Sequence, residues 1–191
     1  VAKLKLVILG STRGTNMQAI IEAISAKEVD ASIDAVISNR KSAYILERAE
    51  NYNIPNKFIS ANGLDREEYD KTLVREVEKY NPDLILLIGF MRILSTVFIN
   101  SFKNKILNIH PSLLPKHAGL MDLDVHQSVI NAGDNVSGCT IHQVTEEVDA
   151  GDTILQLKCD VSDDETAESL KVKVQDLESK AWVEVIKNWK K

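Results

Sequence analysis

A chain of 191 residues, 44% hydrophobic and 27% charged, has the size and composition of one soluble domain that can bury a core without metal or disulfide staples. Its net charge of -5 argues against nucleic acid or an anionic membrane as the main partner, so any phosphate site must be local, made of backbone N–H groups and a few side chains. Cys139 and Cys159 are too few and too scattered for a disulfide framework or a cysteine zinc site, no apolar run reaches the length of a membrane span, and Val1 to Leu4 lead straight into a strand without a signal-peptide core, so a reducing cytoplasm is the expected setting.

Leu4 to Leu9 is an apolar run of strand length, ending at Gly10, and reads as a buried parallel strand. Ser11 to Asn16 form a glycine-containing loop, and Met17 to Ile24 follow with helical spacing, which together make a first strand–loop–helix unit of a doubly wound sheet. Backbone N–H groups and small hydroxyls at that helix start suit a phosphate. The loop has neither the dinucleotide glycine spacing nor the lysine of a nucleoside triphosphate loop. A purely structural alternative stands beside this: Gly10 and Gly14 shape the turn, and Asn16 caps the helix.

Ala31 to Ser38 reads as a second strand, Ser42 to Tyr52 as a helix, and Ile54 to Ile59 as a short extended piece broken by Pro55. A third helix is expected over Asp65–Tyr80, capped by Asp65, with Arg66 in its first turn where dipole logic disfavours a cation. Asp83 to Ile88 is a continuous apolar run after Pro82, the pattern of a central strand covered on both faces. Gly89-Phe90-Met91-Arg92-Ile93-Leu94 leaves its carboxyl end, where open α/β sheets bind ligands, although a stripe such as Met91, Ile93 and Leu94 is more often plain core. A helix near Ser95–Ser101 returns the chain to the sheet.

Ile106 to His110 reads as a strand that Pro111 terminates. Side chains two apart share a face, so Asn108 and His110 point the same way: an amide able to donate to an oxyanion beside an imidazole able to move a proton. The rigid segment from Pro111 to Pro115, followed by Gly119, supports a site where geometry matters. Asp122 to Ala132 reads as a helix stopped by Gly133, and Ser137–Val144 and Thr153–Val161 as strands. Between those strands, Thr145 to Asp152 holds four carboxylates in eight residues, a solvated loop whose spacing does not fit a calcium-binding EF-hand. His142 reads as a supporting residue rather than a catalyst. Thr166 to Trp189 is a closing helix with Leu170, Val174, Leu177, Ala181 and Ile186 toward the sheet, and Gln175 and Glu178 on a neighbouring face that alone would read as surface.

The run Asn108-Ile109-His110-Pro111-Ser112-Leu113-Leu114-Pro115 closely resembles the signature of the folate-dependent formyltransferases, and the chain length and flanking motifs are similar to the purine-pathway branch of that family. The resemblance implies a predominantly parallel, doubly wound, Rossmann-like α/β sheet with helices on both faces, here as one domain over residues 1–191. It implies transfer of the formyl group of 10-formyltetrahydrofolate, as co-substrate and without a metal, to the amine of glycinamide ribonucleotide. Asn108, His110 and Asp149 would be catalytic, with Asp149 beside the imidazole. Gly14, Thr15, Asn16, Gln175 and Glu178 would hold the ribonucleotide. Arg66, Met91, Arg92, Ile93 and Leu94 would contact the folate, with Asn108 and the segment Thr145, Glu146, Glu147, Val148 and Asp149. The partners would be small molecules only, with no nucleic acid and no membrane, and the protein a monomer or homodimer. One departure is a longer stretch over Gly119 to His126. The branches acting on methionyl-tRNA or amino sugars share the Asn-x-His and Ser-Leu-Leu-Pro elements, but they carry a further C-terminal region, and the tRNA branch needs a basic surface. A folate-binding module without turnover is the non-enzymatic rival.

Overall fold

A computed structural model describes residues 3–190; residues 1, 2 and 191, at the ends of the expected 1–191 domain, lie outside the described residues, and with them the first half of the Val1 to Leu4 stretch. The strands are β1 (Leu4–Leu9), β2 (Ala31–Ser38), β3 (Asn56–Phe58), β4 (Leu84–Leu87), β5 (Ile106–His110), β6 (Val136–Gln143) and β7 (Thr153–Asp160). The helices are α1 (Thr15–Ser25), α2 (Tyr44–Asn51), α3 (Arg66–Glu78), α4 (Thr96–Ser101), α5 (Leu123–Asn131) and α6 (Ala167–Asn188). One sheet runs in the order β3-β2-β1-β4-β5-β6-β7. The pairs from β3 through β5 are parallel, while β5–β6 and β6–β7 are antiparallel, so the sheet is mostly parallel with a mixed far edge, as the sequence leads one to expect.

The apolar runs of the central strands feed two cores. Leu6 and Ile8 of β1 and Leu84 and Leu86 of β4 pack under α1, α2, α5 and α6, beside Met17, Ile45, Val129 and the fully buried Trp182. Val7, Leu9, Ile85 and Leu87 point the other way, against Tyr69, Leu73 and Val77 of α3 and Phe98 of α4. Alternation through a two-faced sheet explains why these strands carry no polar face. On α6 the buried ridge is Leu170, Val174, Ala181, Trp182, Val185 and Ile186, while Leu177 is only half-buried. β3 is a short, exposed edge strand carrying Lys57, a form that discourages pairing with another sheet.

The strand order reverses direction between β1 and β4, which opens the crevice at their carboxyl ends. There the two loops are stitched together: Ser11 N–H donates to Gly89 O at 3.0 Å, and Met91 N–H donates to Ser11 Oγ at 2.9 Å. Gly89 sits at φ +59, and a Cβ on it would collide with the Thr12 hydroxyl, so the close approach requires glycine.

α3 begins as its sequence indicates. Asp65 accepts from Glu68 N–H at 2.9 Å, and the Glu68 carboxylate accepts from Asp65 N–H at 3.1 Å, a full capping box. α5 departs from expectation: Asp122 stands outside the helix at φ 53, ψ -131, makes no cap, and pairs with Lys171 of α6 at 2.5 Å instead. Asp65→Ala should lower stability by about 1 kcal/mol in urea unfolding, because the Glu68 N–H loses its side-chain acceptor; an unchanged midpoint would show that α3 does not depend on this cap.

Candidate active site

In β5, Leu107 and Ile109 pack into the first core, which leaves Asn108 and His110 on the face shared with Ile106. β6 completes that face. Asn108 lies opposite His142 and His110 opposite Thr140 in the antiparallel register. His142 Nδ1 faces Gln143 O at 2.9 Å and donates to it. Its Nε2 lies 3.3 Å from Asn108 Nδ2, so the ring stands beside the amide as well as the Asp149 carboxylate. The amide keeps an N–H for a bound group, on the face it shares with His110.

Asp149 lies in the loop between β6 and β7, at φ 56, and its carboxylate is turned inward. Oδ2 is 3.3 Å from His110 Nδ1 and accepts from Gly119 N–H at 2.9 Å, and Oδ1 is 3.6 Å from His142 Nε2. Burial pushes this carboxyl upward, but His142, the Gly119 N–H and His110 outweigh it and hold it below its ordinary value. It therefore stays ionised. For His110, burial favours the neutral ring and lowers its pKa, while the Asp149 carboxylate and the His117 carbonyl push the other way. The structure thus brings together the three residues that the sequence singles out as catalytic.

The segment following β5 folds over His110. Thr140 Oγ1 donates to Ser112 O at 2.7 Å and accepts from Leu114 N–H at 3.0 Å, and the Leu114–Pro115 peptide is cis. His117, at φ 59, presents its carbonyl to His110 Nε2 at 3.0 Å. Its ring spans Ser128 Oγ at 2.8 Å and Asp134 Oδ2 at 2.9 Å, and Lys116 Nζ reaches Asp134 Oδ1 at 2.6 Å. His110 is consequently only 4% exposed. His117 was not legible as part of this site, because its partners lie on α5 and beyond. His126, on the inner face of α5, was missed as well: it is buried, and its Nδ1 has no hydrogen-bond partner.

On the ribonucleotide side, the first α1 hydrogen bond runs from Gln18 N–H to Gly14 O, so the N–H groups of Thr15, Asn16 and Met17 have no acceptor within the helix. Gly14, not Asn16, occupies the N-cap, at φ 69. Asn16 instead points inward and donates through Nδ2 to Glu178 Oε2 at 3.0 Å. Glu178 is thus no surface residue: it is 9% exposed, whereas its expected companion Gln175 lies exposed. Burial pushes the Glu178 carboxyl up to about 7, with Asn16 and Lys171 opposing.

On the folate side, Met91 and Ile93 are exposed at the mouth of β4, while Leu94 is buried in the second core. Arg92 stacks on the Tyr69 ring, its Cζ 4.5 Å from the centroid, and Arg66 lies exposed at the start of α3. Both arginines act on Asp70, a buried carboxylate that the sequence reading overlooked and that accepts from Ser95 N–H at 2.6 Å. Burial raises the Asp70 pKa, against the opposing pull of Ser95 and the two arginines. Thr145 and Glu146 line a recess of about 310 Å³ with Asn100, Lys103 and Asp152, whereas Glu147 and Val148 are exposed outside it. Met91 and Ile93 do not border that recess. Among the described residues, no three or more His, Cys, Asp or Glu side chains are grouped to hold a metal, the acidic loop included.

A doubly wound sheet with an Asn-x-His strand end and an inward aspartate defines a class, and the formyl transferase family model matches residues 4–186. The chain belongs to the formyl transferase family. It is similar to the phosphoribosylglycinamide formyltransferase of Escherichia coli, 40% identical over 173 residues that cover 90% of this chain and 80% of that protein. The corresponding protein of Haemophilus influenzae is 41% identical over 96% of this chain and 85% of its own length. Among solved structures, the phosphoribosylglycinamide formyltransferase of Coxiella burnetii superposes with a TM-score of 0.91 at 40% identity, covering 97% of this chain and 86% of that one. The glycinamide ribonucleotide transformylase 1 of Symbiobacterium toebii superposes at 0.92 with 34% identity, covering 97% and 87%.

His126 generates a prediction about acid sensitivity. Burial first, then the charge of Lys171, lower its pKa from 6.5 to about 4, against the opposing charge of Asp122. Between those values the unfolded chain binds a proton that the folded chain refuses, so stability falls as pH drops through the window. His126→Leu should flatten the fall of the urea midpoint in the upper half of that window, where few carboxylates titrate; an equal slope in both proteins would contradict the assignment.

Proposed function

We propose that this chain transfers the formyl group of 10-formyltetrahydrofolate to the glycine amine of 5-phosphoribosylglycinamide, giving formylglycinamide ribonucleotide in de novo purine (IMP) biosynthesis. The observation that carries the reading is the Asp149 carboxylate 3.3 Å from His110 Nδ1, with Asn108 two residues upstream on the same strand face. Relatives bearing the phosphoribosylglycinamide formyltransferase name over most of both chains support the choice of acceptor. The net charge of -5 and two free cysteines support a cytoplasmic enzyme of small molecules, acting as one domain in a monomer or homodimer.

On this reading the ribonucleotide amine attacks the formyl carbon, and a C–N bond forms as the carbonyl becomes an oxyanion. The free N–H of Asn108 donates to that oxygen. His110, neutral at rest because it is buried, takes the proton released by the amine and becomes an imidazolium paired with Asp149. The imidazolium shares in stabilising the oxyanion, then delivers the proton to N10 of the folate as the bond from N10 to the formyl carbon breaks. Tetrahydrofolate leaves, and no covalent enzyme intermediate is needed. The His117 carbonyl occupies the hydrogen-bonding direction of His110 Nε2, so the segment over His110 has to yield when the reactants bind.

The phosphate would lie on the N–H groups of Gly14, Thr15 and Asn16, with Gln175 and Glu178 toward the rest of the ribonucleotide. Met91, Arg92, Ile93 and Leu94 would take the pteridine side, Arg66 the outer part of the folate, and Thr145 to Val148 the opposite wall. His110→Ala and Asp149→Asn should each lower kcat on the order of a hundred- to ten-thousand-fold, and Asn108→Ala on the order of a hundred- to a thousand-fold. The ribonucleotide KM should change little in all three. Normal turnover in both His110→Ala and Asp149→Asn would sink the mechanism.

A further inference from the structure

Asn16 is held from two sides. Its Nδ2 donates to Glu178 Oε2 at 3.0 Å, and Ser179 Oγ donates to its Oδ1 at 3.0 Å. The two contacts come from consecutive residues of α6 and bridge α1 to α6 across a sequence separation of more than 160 residues. Ionised Glu178 can only accept, so the amide must turn Nδ2 toward it and Oδ1 toward the serine, and the serine hydroxyl must then donate. Without that donor the carboxylate alone orients the amide: once Glu178 takes up a proton, the carboxamide can turn its oxygen to that proton, since its two ends have nearly the same shape, and the rotated form favours neutral Glu178.

We propose that Ser179 is a positioning residue for the ribonucleotide: its hydroxyl fixes the Asn16 carboxamide, which anchors one oxygen of Glu178 and leaves the other to accept from the hydroxyl groups of the sugar. This rests on the proposed ribonucleotide site. A carboxylate suits a sugar hydroxyl, which donates, and repels a phosphate, so the same network also sets which end of the substrate lies against α6. Groups facing Glu178 are Asn16 from α1, Lys171 two turns earlier on α6, and Cys139 of β6. Among the described residues, only Asn16 makes a hydrogen bond that orients the carboxylate. Ser179 borders an open groove of about 610 Å³ between α1 and α6, so its truncation leaves no sealed cavity and the variant is expected to fold.

The test is steady-state kinetics on the purified chain and on Ser179→Ala, Ser179→Thr and Glu178→Gln, varying glycinamide ribonucleotide and 10-formyltetrahydrofolate separately. Ser179→Ala should raise the ribonucleotide KM about tenfold, with kcat and the folate KM unchanged, and Ser179→Thr should restore it. The acid limb of kcat/KM for the ribonucleotide should move to higher pH in Ser179→Ala, because the unpinned Asn16 amide can turn its oxygen to a protonated Glu178 and so favours the neutral form. An unmoved ribonucleotide KM in Ser179→Ala, or equal rises for both substrates, overturns the positioning role. If Glu178→Gln also leaves the ribonucleotide KM unmoved, the site reading itself fails; if Glu178→Gln raises it while Ser179→Ala is silent, only the role of Ser179 falls.

Discussion

The site depends on one carboxylate being kept ionised out of water. Asp149 sits between two imidazoles and a backbone N–H, and each neighbour belongs to a different part of the chain: His110 ends β5, His142 lies in β6, and Gly119 belongs to the segment between β5 and α5. A buried carboxylate without such partners would take up a proton and lose the property that makes it useful. Removing any one partner therefore disturbs the others. Asp149 has a left-handed backbone, at φ 56, a conformation that aspartate tolerates better than most residues.

The rest of the fold brings these pieces into register. Five parallel strands form a platform whose strand order turns back between β1 and β4, and the antiparallel pairing of β6 with β5 sets His142 opposite Asn108. Had β6 joined in parallel, its return would have needed a crossover, and the short acidic loop between β6 and β7 could not have reached His110. Ser11 ties the loop before α1 to the backbone at Met91, so the segments proposed for the two substrates share a hydrogen-bonded base. Membership of the formyl transferase family agrees with this layout over residues 4–186.

Most elements were legible because buried strands and amphipathic helices carry their own periodicity. β1, β2 and β5 fall where their apolar runs place them, and the Asp65 cap starts α3. The shared face of Asn108 and His110 followed from the two-residue period alone. Asp149 had no such signal, since a loop has no period, and only the resemblance marked it. Helix spacing alone would leave Glu178 on the surface, and only the resemblance gave it a role, because its partner Asn16 is 162 residues away and spacing says nothing about the neighbouring helix. The helix expected from Asp122 starts at Leu123 instead, and Asp122 pairs by charge with Lys171 of α6, an interaction between elements that no local pattern encodes.

The measurement that bears most directly on the account is turnover of the purified chain with 10-formyltetrahydrofolate, followed by the absorbance of deformylated folate, with one acceptor in each cuvette. The acceptors are glycinamide ribonucleotide, formylmethionine-acceptor tRNA, an amino-sugar nucleotide, and water alone. The account predicts rapid loss of the formyl group with the ribonucleotide and none above background in the other three. No turnover with the ribonucleotide would contradict it, and activity with another acceptor instead would place the same catalytic residues in a different branch of the family.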